Sequence, residues 1–178
     1  MRIRSGRLKG RELRYPRSGL RPTKDITRLA IFNALGRAVA GARVADLFAG
    51  GGALGLEALS RGAAEAVFVE SSAAVARFLR ANVAGLECAA VVRGDVFRAL
   101  HRLGPARFDI VLADPPYRLG LVEQTLEALA REETLSPGGL AVVEHHRLEP
   151  PAPDDAWEVA RQGRYGESMV TFLRRKSE

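Results

Sequence analysis

Asp114-Pro115-Pro116-Tyr117 follows an apolar run, residues 110–113, that reads as a buried strand. These residue types suit a planar amino group. The Asp114 carboxylate and the Pro115 carbonyl can each accept a hydrogen bond from an exocyclic NH2. The prolines lock their own backbone angles and bring no N–H to compete for those acceptors. Tyr117 offers a ring face on which a base can stack. Such a constellation holds a nucleobase amine while it attacks or is attacked. A strand end followed by a plain Pro-Pro turn would spell the same four letters, so the residues upstream decide.

Gly50-Gly51-Gly52-Ala53-Leu54-Gly55 fits the G-x-G-x-x-G pattern between an expected strand and an expected helix. A loop of that kind lays a ligand against bare backbone at a helix N-terminus. Asp46 and Phe48 stand just before it. A carboxylate there repels a pyrophosphate and suits a cationic ligand. Glu70 then ends the second expected strand, close to the roughly 20-residue interval at which an acid meets a ribose diol. Asp95 follows the third, placed to accept from an adenine amine, and Asp114 follows the fourth. Any one of these acids would serve equally well as a helix cap. Four at the carboxyl ends of successive parallel strands mark the rim where open α/β sheets bind ligands.

The elements that must position these residues can be read from periodicity. Residues 44–48, 66–69, 89–92, 108–113 and 140–143 are short apolar runs, expected as strands. Between them lie helical patterns: 53–61 closed by Gly62, one capped by Ser71 or Ser72 and stopped by Gly85, a short one after Asp95, and 119–130. Pro137-Gly138-Gly139 is expected to turn into the fifth strand. Residues 157–160 and 169–173 read as two strands with no helix between them. The expected fold is therefore α/β: a doubly wound, mostly parallel seven-stranded sheet, Rossmann-like, with an antiparallel last strand. Upstream, Thr23 is the expected N-cap of a helix whose apolar positions are Ile26, Leu29, Phe32, Leu35 and Val39, ended by Gly41.

The chain of 178 residues is long enough for one core. Its single cysteine, Cys88, excludes an internal disulfide framework and a cysteine metal cluster. No run approaches the roughly 20 apolar residues of a membrane span, and the N-terminus lacks the apolar core of a secretion signal. A cytoplasmic protein is expected. Residues 1–28 hold ten of the 27 Lys and Arg but two of the 21 Asp and Glu, a net +8, which leaves −2 for the remainder. A basic arm on a nearly neutral body points to a polyanion met on one surface. Ile3, Leu8, Leu13 and Tyr15 interleave with the arginines, and Gly6 and Gly10 stand at turn positions, so the arm is expected as a β-hairpin. His145 and His146 are adjacent and point to opposite faces of a strand. They are not expected to share a metal ion, and no metal site is expected elsewhere.

Asp46-Leu47-Phe48-Ala49-Gly50-Gly51-Gly52 resembles the first motif of class I S-adenosylmethionine-dependent methyltransferases, whose ligand carries an ammonium and a sulfonium and no phosphate. With Asp-Pro-Pro-Tyr at the fourth strand, the chain resembles the RsmD-like bacterial enzymes that methylate a guanine N2 of 16S ribosomal RNA. Met1-Arg2-Ile3 with residues 5–11 is similar to that family's N-terminal hairpin. Arg21-Pro22-Thr23-Lys24-Asp25 with Arg28 is similar to its Arg-Pro-Thr helix start, residues 46–62 to its cofactor segment, and Tyr165-Gly166-Glu167-Ser168 to its tail. Gly51, where Ser or Thr is expected in many relatives, departs mildly from the pattern.

The resemblance implies a set of roles. Asp114, Pro115, Pro116 and Tyr117 would act in catalysis. Asp46, Phe48, Gly50, Gly52, Glu70, Ser71, Asp95 and Val96 would hold S-adenosylmethionine. Arg7, Arg11, Arg21, Thr23 and Arg28 would meet the RNA. Residues 1–40 would form an RNA-contacting extension and 41–178 the methyltransferase domain. The partner would be 16S ribosomal RNA within a small-subunit particle or assembly intermediate, met by a monomer, with no membrane involved. Three rivals remain open at this point. One is an amino methyltransferase acting on DNA adenine or a protein glutamine amide, for which the chain has little room beyond an arm of some forty residues. Another is an NAD-dependent oxidoreductase, opposed by Asp46. The third is a non-catalytic RNA-binding module, opposed by the intact Asp-Pro-Pro-Tyr.

Overall fold

The structure is a computed structural model that describes residues 1–16 and 25–176. Seven strands form one sheet in the order β3-β2-β1-β4-β5-β7-β6. They are β1 Arg43–Leu47, β2 Glu65–Glu70, β3 Ala89–Arg93, β4 Phe108–Ala113, β5 Leu135–His146, β6 Trp157–Tyr165 and β7 Ser168–Arg175. Strands β1 to β5 pair in parallel, and β7 runs antiparallel to both of its neighbours. The expected α/β sheet with its reversed last strand is present. Its order reverses at β1, which lies between β2 and β4, and the crevice at that switch opens above their carboxyl ends.

The sheet is covered on both faces. Helices α1 Asp25–Leu35, α2 Ala53–Ser60 and α3 Ala73–Val83 pack with the N-terminal arm on one face. Helices α4 Val96–Leu103 and α5 Leu121–Arg131 pack on the other. Alternation along β1 sends Val44 into the first core and Ala45 and Leu47 into the second. The same alternation turns Asp46 toward α2.

The arm pairs as a hairpin, with an antiparallel bridge between Arg2 and Glu12 and an Ile3 N–H to Arg11 carbonyl bond of 3.0 Å. It is no loose appendage. Ile3 and Leu13 are buried in the core that holds α1 and α2, so residues 1–40 and 41–178 share one interior. The Arg4 N–H donates to Glu57 Oε2 (2.9 Å) and the Leu8 N–H to Ser60 Oγ (2.9 Å), both on α2. A β-carbon on Gly6 would lie 1.7 Å from the Ser60 carbonyl oxygen, so only glycine lets the hairpin turn close on the end of α2.

Three features, two in α1 and one in β5, differ from expectation. Helix α1 buries Thr27, Arg28, Ile31, Phe32 and Leu35, while Ile26 is 65% exposed. Its inner face is rotated because Arg28 is drawn inward. The helix also ends at Leu35, where Gly36 (φ 51°) turns the chain into a 3-10 turn ahead of Gly41. The Pro137-Gly138-Gly139 turn lies inside β5: Phe108 pairs with Leu135 and Ile110 with Leu140, so the extra residues form a bulge rather than a strand start. The expected Thr23 cap lies outside the described residues.

Candidate active site

The glycine loop leaves β1 through Phe48, a non-glycine residue at φ 58°, and reaches α2 through Gly50 (φ 56°) and Gly52 (φ 83°), the N-cap of α2. Two carboxylates brace it. Glu70 Oε2 accepts the Gly50 N–H (2.9 Å) while its Oε1 accepts the Ser72 N–H (2.7 Å). Asp46 Oδ2 accepts the Gly55 N–H in the first turn of α2 (2.8 Å). Asp46 is 2% exposed, and burial pushes its carboxyl up to about 8. The Gly55 N–H works against that rise, and the negative fields of Asp114 and Glu70 add to it. Three carboxylates thus meet at one rim, where a cation would restore the ionised form of Asp46.

Each remaining cofactor position has a defined place. Asp95 caps α4, accepting the Arg98 N–H at 3.0 Å, and stays exposed. Val96 is buried beneath it. Ser71 is exposed beside Glu70, and Ser72, not Ser71, caps α3. Two residues support the loop from behind: Asn82, which the sequence did not single out, and Tyr15, read there only as part of the hairpin. Asn82 of α3, buried at 3% exposure, donates to the Gly51 carbonyl (2.9 Å) and the Arg14 carbonyl (2.9 Å) and accepts the Arg14 N–H (2.8 Å). Tyr15 lies on Gly51 so closely that a β-carbon there would stand 2.3 Å from its ring. The departure at Gly51 therefore makes room for the arm. A polar residue among Leu79 and Val83 on the inner face of α3 was the available signal, since buried amides need partners.

On the other side of the crevice, Asp114 is half-buried just beyond β4, Pro115 is buried and Pro116 is exposed. The Tyr117 hydroxyl donates to Glu144 Oε1 (3.1 Å) and pairs with Ser168 Oγ (2.9 Å). Burial raises it to about 12, so it stays protonated. The structure thus brings Asp46, Glu70, Asp114 and the Asp-Pro-Pro-Tyr turn to one crevice.

The RNA-contact expectations fare differently. Arg7 is exposed and Arg11 half-exposed, reaching the Cys88 sulfur (3.3 Å) and the Ala84 carbonyl (3.3 Å) respectively. Arg28 must be corrected. It is fully buried, donating to the Arg2 carbonyl (2.7 Å) and Asp25 (2.8 Å), with Glu57 at 3.7 Å. It ties the arm to α2 and has no surface to give a phosphate. Arg21 and Thr23 lie outside the described residues.

A family model described as conserved hypothetical protein 95 matches residues 1–174. The chain is 43% identical over 147 residues to ribosomal RNA small subunit methyltransferase D of Escherichia coli K12, covering 81% of this chain and 74% of that one. The chain belongs to this family. The family likeness extends to the putative rRNA methyltransferase YlbH of Bacillus subtilis, 34% identical over 99% of this chain and 100% of that one. Among solved structures, the putative methyltransferase yhhF of Escherichia coli superposes with a TM-score of 0.90 at 37% identity, covering 100% of this chain and 99% of that one. The resemblance expected from the sequence is borne out for the family and for the fold.

Proposed function

We propose that this chain transfers a methyl group from S-adenosylmethionine to the N2 amine of a guanine in 16S ribosomal RNA. The carrying observation is the Asp114-Pro115-Pro116-Tyr117 turn at the sheet's switch point, facing an acid-braced glycine loop. The donor set fits a cationic cofactor and not a dinucleotide, because the buried Asp46 already suffers from its neighbouring carboxylates and a pyrophosphate would add to them. Asp46 and Glu70 would hold the cofactor with the backbone of Gly50 and Gly52, and Phe48, Ser71, Asp95 and Val96 would line its adenosine side. When bound, S-adenosylmethionine supplies an electrophilic methyl group.

The chain's own residues supply position. The Asp114 carboxylate and Pro115 carbonyl accept the two N–H bonds of the amine and leave its lone pair directed outward. Pro116 keeps the turn rigid, and Tyr117 presents a ring face to a base that has left its stack. Positioning of this kind is the main source of rate in a direct displacement. The amine can shed its proton after transfer, so a strong base is not required. Arg7 and Arg11, with Arg21 and Thr23 beyond them, would meet phosphates. Substrate recognition would be completed by a small-subunit particle or assembly intermediate, met by a monomer in the cytoplasm. Among the described residues, no helix is long and apolar enough to cross a membrane.

Asp114→Ala should abolish transfer of labelled methyl to RNA while leaving cofactor affinity within a few fold. Asp114→Asn should retain part of the rate, since its amide oxygen still accepts from the amine. Full activity of the alanine variant would remove Asp114 from the mechanism.

A further inference from the structure

Strands β5 and β7 reach the rim beside Tyr117, and their register gathers three side chains there. Glu144 and His146 alternate along β5 and so share a face, and His146 pairs across the ladder with Ser168 of β7. Glu144 and Ser168 are 4% and 2% exposed, and both hold the Tyr117 hydroxyl. The His146 ring meets that of Tyr117 edge-on, with centroids 5.7 Å apart and planes at 60°. His146 is fixed in turn: its Nδ1 accepts the Leu148 N–H (3.2 Å) and its Nε2 lies 3.3 Å from Glu167 Oε2. Glu167 and Ser168 both come from the Tyr165-Gly166-Glu167-Ser168 segment, which turns β6 into β7 at Gly166 (φ 70°). That segment was singled out in the sequence, and the chemistry derived above does not use it.

We propose that Glu144 and Ser168 are positioning residues for methyl transfer, holding Tyr117 by its hydroxyl so that one ring face stays turned toward the incoming base. The proposal rests on Tyr117 as the stacking residue. The phenol donates to Glu144 and accepts from Ser168, a division of roles that needs a protonated tyrosine, as the burial of this hydroxyl ensures. His146 adds an edge contact to the ring. Tyr117 stands in the loop between β4 and α5, and its hydroxyl is held from outside that loop, by Glu144 of β5 and Ser168 of β7. Ordering a free side chain at the moment of binding costs rotamer entropy. A tether to two buried groups on a sheet removes that cost before the base arrives.

A double-mutant cycle tests this. Ser168→Ala and Glu144→Leu, each removing one bond to the phenol, should lower kcat/KM for the RNA by about tenfold, and Tyr117→Phe, which removes both, by at least as much. Cofactor affinity, measured on each variant, should stay within twofold. Tyr117→Phe combined with Ser168→Ala should be no worse than Tyr117→Phe alone, because the phenylalanine has already lost the bond to Ser168. Losses that multiply in the double variant would overturn the proposal, since Ser168 would then act without Tyr117. Full rates in Ser168→Ala and Glu144→Leu, beside an inactive Tyr117→Ala, would overturn the positioning role and leave the stacking role standing. Full activity of Tyr117→Ala would overturn both. Should Ser168→Ala not fold, Tyr117→Phe removes the same bond from a half-buried residue, and an unimpaired rate there would count equally against the tether.

Discussion

Asp46 carries the electrostatic logic of the site. Its carboxyl is raised from 3.8 to about 8 by burial, so at pH 7 the free protein holds it largely protonated. A bound cation favours the carboxylate, and binding near neutrality should therefore release up to one proton. Affinity for S-adenosylmethionine should rise by as much as tenfold per unit between pH 6 and 7.5, where the ligand's α-amino group is still charged. For folding the sign is opposite. A carboxyl with a raised native pKa stabilises the fold below its unfolded value, and that contribution is lost as pH rises from about 4 toward 8. Calorimetry in buffers of different ionisation enthalpy counts the proton. Asp46→Asn should bind about ten- to a hundredfold more weakly and without pH dependence. A flat affinity in the native protein, with no proton released, would contradict this role.

Among the elements, the arm changes meaning most between sequence and structure. Its arginines read alike in the sequence, and burial sorts them. Arg28 is buried against Glu57 and reaches the partly exposed Asp25, so Arg28→Gln leaves Glu57 without that buried partner and should cost about 3–5 kcal/mol in denaturant unfolding. Arg7→Gln with Arg11→Gln should leave stability nearly unchanged. That pair should weaken RNA binding and flatten its log–log salt dependence by roughly 0.7–0.9 per lost phosphate contact. An unaltered slope would place the polyanion surface elsewhere. The strands, the glycine loop and the rim acids were legible because each leaves a local mark: an apolar run, a spacing or a strand end. The rotated face of α1, the bulge in β5 and the Asn82 clamp were not. They arise from long-range pairings, Arg14 with Asn82 and Arg4 with Glu57 at 68 and 53 residues apart, and β4 with β5 at the bulge, which impose no period on the sequence. Glu144 and Ser168 escaped for the same reason, although the turn that carries Ser168 was noticed.

At the scale of the whole molecule, the arm, the glycine loop and the Asp-Pro-Pro-Tyr turn form one body. The arm lies on α2, Tyr15 rests on Gly51, and Asn82 joins the arm to the loop. The proposed RNA surface would thereby be built against the back of the proposed cofactor site, with the Asp-Pro-Pro-Tyr turn across the crevice. Asp114 and the Pro115 carbonyl would accept the amine of adenine or cytosine as readily as that of guanine, so the chemistry alone leaves the base open. The identity of the product is therefore the most direct test. The protein should be incubated with labelled S-adenosylmethionine and small-subunit particles from cells that lack the enzyme, and the RNA digested to nucleosides. Label should appear in 16S RNA and be recovered as N2-methylguanosine. Label recovered as N6-methyladenosine, or found only in DNA or protein, would contradict the proposed function.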